Sequence, residues 1–114
     1  MTVLGAHPAR LDLDEHPGDP IAFSESVLDD DGTAADLTSW AVAAVISAPD
    51  GQLLHTFTTT VPSPATGVIQ VAATPTETAA WRWPVYAGRL VLAATPPGGS
   101  AIPITTGWVR LYRP

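Results

Sequence analysis

The chain has 114 residues, enough for one domain whose core needs no covalent staples. It has no cysteine, which excludes disulfides and thiolate metal sites, and its net charge of −6, with five cations that are all arginine, excludes nucleic-acid binding through a basic face. No stretch approaches the roughly 18 apolar residues of a membrane span, and the first ten residues lack the cationic start and apolar run of a signal peptide.

Residues 1–8 read as an extended N-terminal arm ahead of a single domain at 9–114. Residues 9–14 alternate, with Leu11 and Leu13 opposed to Asp12 and Asp14, which predicts a first strand. His16-Pro17-Gly18-Asp19-Pro20 is a turn cluster. A strand over 20–28 follows, with Ile21, Phe23 and Val27 on one face and Ala22, Ser24 and Ser26 on the other. Glu25 falls on the apolar face, which marks either a bulge or an edge strand guarded by an inward charge. The stretch 29–45, DDDGTAADLTSWAVAAV, is the crossing around which the core is expected to form. Asp31-Gly32 turns the chain, Leu37 anchors it, and Trp40, Val42, Ala44 and Ile46 share one strand face.

Pro49-Asp50-Gly51 is a second tight turn. Residues 53–61 return as one strand, with Leu53, His55, Phe57, Thr59 and Val61 on one side and Leu54, Thr56, Thr58 and Thr60 on the other. A loop at 62–67 leads to a strand at 68–73. Thr74-Pro75-Thr76-Glu77 combines an N-cap, a first-turn proline and a capping-box glutamate, which predicts a helix over 75–81 crossing between sheets. A strand over 86–95 alternates Tyr86, Leu90, Leu92 and Ala94 against Arg89, Val91 and Ala93. Pro96-Pro97-Gly98-Gly99 turns into the last strand, 102–112, expected to break near Thr106-Gly107, with Val109 and Leu111 inward and Trp108, Arg110 and Tyr112 outward. About seven strands with turn signals every ~8–12 residues predict an all-β fold, an immunoglobulin-like antiparallel sandwich with one short connecting helix.

Candidate chemistry is sparse. Residues 29–32 with Asp36 are acidic enough for calcium, but the EF-hand pattern fails, with Ala34 at its glycine position and Trp40 at its final glutamate. A solvated turn is the reading adopted. His7, His16 and His55 lack metal-ligand spacing, and no G-x-S-x-G elbow is present. The chain is therefore expected not to be an enzyme, with no catalytic residue, cofactor or metal. The aromatic set remains. Trp81 and Trp83 suit a sugar-stacking pair, but tryptophan and tyrosine are also enriched at protein interfaces. Trp81, Trp83, Trp108, Arg110 and Tyr112 are taken as the candidate interface.

Over residues 8–112 the motifs resemble those of small phage virion proteins, of the type of the immunoglobulin-like N-terminal domain of siphophage baseplate upper proteins. Gly18-Asp19 matches the family's Gly-Asp before the second strand. Residues 29–32 match its D-x-x-G turn, and Asp36-Leu37-Thr38 its segment ahead of a strand. Residues 68–79 match the strand that runs into Thr-x-x-x-Thr-Ala, and 107–111 the terminal G-x-V/W-x-L/V strand. Tyr86-Ala87-Gly88 departs from the family's aspartate after the aromatic.

The resemblance implies a structural protein of a tailed-phage virion, at the tail tip or baseplate, located in the particle and assembled in the host cytoplasm. It implies contacts with other virion proteins in a symmetric assembly, with homo-oligomers included and with no nucleic acid or membrane as partner. Capsid decoration or head–tail joining is the structural alternative. Carbohydrate binding at the host surface is the competing class.

Overall fold

The computed structural model describes residues 2–4, 8–81 and 88–111. Ten strands lie within them: β1 (Thr2–Val3), β2 (Ala9–Arg10), β3 (Leu13–Glu15), β4 (Ile21–Leu28), β5 (Ala41–Ser47), β6 (Leu53–Thr56), β7 (Thr58–Thr60), β8 (Val68–Ala73), β9 (Gly88–Thr95) and β10 (Ile102–Leu111). One helix, α1 (Pro75–Ala79), joins β8 to β9. A small sheet runs β1-β4-β8-β7, and a large one runs β10-β9-β5-β6 with β2 and β3 both on the free side of β10. This is the two-sheet arrangement of an immunoglobulin-like sandwich, as the strand spacing predicts. The expected strand at 9–14 is split into β2 and β3, the one at 53–61 into β6 and β7, and β4, β5, β8, β9 and β10 stand where the other five were expected. Strands β4 to β10 pair antiparallel with one another. The three N-terminal pieces run parallel to theirs, β1 beside β4 and then β2 and β3 beside β10. The first described residues, Thr2–Val3, thus lie as a short strand along β4.

Alternation builds the core. Ile21, Val27, Ile69 and Val71 face in from the small sheet, and Ala44, Ile46, Leu90, Leu92 and Val109 from the large one. Burying each large aliphatic side chain contributes about 1.5–3 kcal/mol. The crossing between β4 and β5 is locked by backbone bonds. Ala35 N–H donates to Val27 O at 3.0 Å, and Leu37 N–H donates to Pro64 O at 2.9 Å. Ala35 and Leu37 are buried. Gly67 closes this seam: at φ 68° it leaves a 3-10 turn, its carbonyl accepts from Val27 N–H, and a Cβ there would overlap the Val27 carbonyl.

Four elements differ from expectation for identifiable reasons. The 53–61 strand is two strands. β6 pairs with β5 in the large sheet and β7 with β8 in the small one, with buried Phe57 at the changeover. Leu54 is an extra residue opposite Ile46 and Ser47, so the alternation slips and Leu53 turns out to solvent, away from the face of His55. In β10 the irregularity lies at Ile104, between Pro103 and Thr105, and not at Thr106-Gly107. The break near Gly107 belongs to the neighbouring segment, where β2 and β3 part around Leu11 and Asp12. Leu11 N–H donates to Thr106 O at 3.0 Å, and a Cβ on Gly107 would overlap the Leu11 carbonyl. Gly107 therefore marks a close backbone approach within a continuous strand.

Glu25 pairs in regular register with Ile69, so no bulge is present there. β1 pairs with Val27 and Leu28 and does not extend along β4 as far as Glu25. The helix carries the full capping box, but it ends at Ala79, with Ala80 as its cap. Thr78 on α1 is fully buried and ties the 16–19 turn to the helix. It accepts from Gly18 N–H at 3.0 Å and donates to Asp19 O at 2.8 Å.

Candidate functional site

The outer face of the large sheet is the surface with the most distinctive chemistry. Cross-strand registers place Leu53 beside Ser47, Ser47 beside Arg89, and Arg89 beside Trp108. Leu53 and Trp108, 58% and 44% exposed, are the large apolar side chains that stand out in solvent among the described residues. They lie on one row, three strand spacings or about 14 Å apart. The next row is Thr56, Val45, Val91, Thr106 and Arg10, and the row beyond carries Ala43, Ala93 and Pro103. The middle of this face is thus short aliphatic and hydroxyl groups without a charge.

Charge gathers around Trp108. Its backbone N–H donates to Asp12 Oδ1 at 2.9 Å, so a side chain completes the ladder where β2 and β3 part. That bond, with help from the Arg10 guanidinium, holds the Asp12 carboxyl below the usual carboxylate range. Arg10 Nε lies 3.2 Å from Asp12 Oδ2, and Arg110 Nε lies 2.8 Å from Asp14 Oδ1. Two hollows flank the indole. One, about 190 Å³, is lined by Arg10, Arg89, Thr106, Gly107 and Trp108. The other, about 260 Å³, is lined by Asp12, Leu13, Asp14, Trp108 and Arg110.

A second feature is an open groove of about 630 Å³ along β6 and α1, lined by Gln52, Leu53, Leu54, His55, Thr56, Glu77, Ala80 and Trp81. Trp81 is 3% exposed and packs edge-on against His55 and Phe57, at centroid distances of 5.0 and 6.2 Å. His55 Nε2 is buried with no hydrogen-bond partner among the described residues. Burial pushes the His55 imidazole below its ordinary value, with the Glu77 charge opposing weakly. The Glu77 carboxylate is occupied by the cap, accepting from Thr74 N–H at 2.9 Å, and the Thr74 bonds lower its proton affinity. Its charge touches His55 only from a distance, and no nucleophile–base pair forms among the described lining residues.

Of the candidate interface residues, Trp108 and Arg110 lie together on the outer face. Trp81 does not join them. It is a core residue, because the turn after α1 folds it under the helix, with its N–H donating to Thr78 O at 3.0 Å. A sugar-stacking pair at Trp81 and Trp83 loses its first member to the core. Trp83 and Tyr112 lie outside the described residues, as do Tyr86 and His7. The acidic turn also resolves into local bonds. Asp31 accepts from Thr33 N–H and Oγ1, and Asp36 from Thr38 N–H and Oγ1, which lowers both carboxyls. Among the described residues no three metal-ligating side chains converge.

Sequence reasoning missed Arg10, Asp12, Asp14 and Arg89 as neighbours of Trp108. The available signal was the scarcity of cations: with five arginines in the chain, those at 10, 89 and 110 each fall on an outward strand position. In comparisons with known proteins, no protein-family model matches the chain and no curated protein is similar to it.

Proposed function

We propose that this chain is a non-enzymatic structural protein of a tailed-phage virion, at the tail tip or baseplate, that acts by protein–protein contact. The observation that carries the reading is the outer face of the large sheet, where Leu53 and Trp108 stand in solvent beside an uncharged Val45–Val91 centre. A solvated sheet face of this size ordinarily alternates apolar-in and polar-out, and exposed apolar area concentrated on one side marks an interaction site. The virion assignment is supported by the motif resemblance, whose elements occupy structural positions in this fold. Leu37 is buried at the crossing, where Asp36 accepts from Thr38 N–H beside it, and Gly107 is the seam for the N-terminal strands.

Mass spectrometry of purified particles of the encoding phage tests this directly. The chain is expected at a fixed stoichiometry in intact particles, and immunogold labelling is expected at the tail end. Label on the head shell or the neck would instead favour decoration or head–tail joining. Recovery only from the soluble lysate, with none in particles, overturns the virion reading.

A further inference from the structure

We propose that the outer face of the large sheet binds a second copy of this chain, face to face about a two-fold axis beside Trp108. The inference rests on the interaction reading above and adds the identity of the partner.

An isologous interface must complement itself, so each charged feature needs its opposite across the axis. This face has that property. Trp108 separates a hollow bearing Arg10 and Arg89 from one bearing Asp12, Asp14 and Arg110, in which the carboxylates outnumber the cation. A two-fold axis near the indole sets the cationic hollow of one copy against the acidic hollow of the other. Arg10 and Arg110 already have carboxylate partners, whereas Arg89 has none among the described residues. Arg89 is therefore the charge that gains most from a second copy.

Net charge points to the same face. Two chains of −6 repel across most of their surfaces, and repulsion is least where cations gather. Three of the five arginines, at 10, 89 and 110, surround Trp108. The area is adequate. Five strand positions about 4.8 Å apart and seven residues at about 3.3 Å each give ~550 Å² per copy. The pair then buries about 1,100 Å², at the weak, reversible end of specific interfaces.

Sedimentation equilibrium of the purified chain from about 1 µM to 1 mM tests the proposal. The wild type is expected to dimerise reversibly within that range. Arg89→Glu and Asp14→Arg are each expected to raise Kd at least tenfold, and an equimolar mixture of the two variants to recover dimer, since each then supplies the charge the other lacks. Trp108→Ala is expected to weaken the dimer, while Ser24→Arg on the opposite sheet leaves it unchanged. Circular dichroism confirms that each variant is folded. A wild type that stays monomeric at 1 mM overturns the inference and assigns the face to a different protein, leaving the virion reading intact. A dimer that ignores Arg89→Glu and Asp14→Arg but is lost with Ser24→Arg also overturns it. Absence from particles strikes the virion reading alone.

Discussion

The outer face of the small sheet carries Ala22, Ser24, Thr58, Thr60, Gln70 and Ala72, all exposed. The outer face of the large sheet carries Val45, Val91 and Trp108, with Arg10, Asp12, Asp14 and Arg89 around the indole. Both faces cover the same core, so packing against it does not explain the difference. Short hydroxyl and amide groups keep the small sheet hydrated and give a second protein little to bind. The large sheet joins aliphatic area to charges of both signs, the composition of an interface with a polar rim. In this sandwich the two outer faces differ in chemistry although they cover one core.

The largest way to break the asymmetry is at Gly107. Gly107→Ala drives a methyl group into the Leu11 carbonyl, where backbone must move. A loss of about 3 kcal/mol in urea unfolding is expected, by overpacking. Faster exchange of the Leu11 and Trp108 amides is expected with it, because β2 and β3 separate from β10 and take Arg10, Asp12 and Asp14 away. A smaller effect of opposite sign is expected inside the same sheet. Thr105 is fully buried and its hydroxyl has no partner among the described residues, because the bulge at Ile104 turns two successive side chains inward. Thr105→Val removes that unmet hydroxyl and is expected to raise stability by about 1 kcal/mol, measured by the shift in denaturation midpoint at constant slope.

The joint between the sheets gives a pH signature. His55 has a folded-state proton affinity below its ordinary value, so the unfolded chain binds the proton first. Stability is expected to fall as pH drops through about 6.5 toward the lower folded value. His55→Gln is expected to flatten that part of the Tm profile. The carboxyls of Asp12, Asp31, Asp36 and Glu77 are shifted down and lose their contribution only in the acid range below their ordinary values, so the two windows separate. The smallest expected effect is on the hydrated face. Thr58→Ser or Gln70→Glu is expected to change stability by no more than about 0.5 kcal/mol, and to leave association unchanged.

What was legible in the chain was local. Gly32, Gly51 and Gly98 occupy positive φ in the turns where Asp-Gly and Pro-Gly signals place them. The Thr74–Glu77 box caps the helix, and alternation identifies Ile21, Ala44, Ile46, Leu90, Leu92 and Val109 as core. What was not legible depended on a partner distant in sequence. The bulge at Leu54 and the sheet change at Phe57 arise from competition between β5 and β8 for one run of residues, which periodicity within that run does not record. The splitting of β2 from β3 is dictated by Gly107, nearly a hundred residues away. The site followed the same division. Outward alternation found Trp108 and Arg110, while the pairing of β10 with β2, β3 and β9 supplied their charged neighbours. Trp81 was misplaced because an aromatic after a short helix reads alike whether it folds under or out.

Carbene footprinting with mass spectrometry, comparing dilute with concentrated protein, measures the sidedness directly. Leu53, Val91 and Trp108 are expected to lose labelling as concentration rises, while Ser24, Thr58 and Gln70 stay equally labelled. Equal protection of both faces, or protection confined to the small sheet, would contradict it.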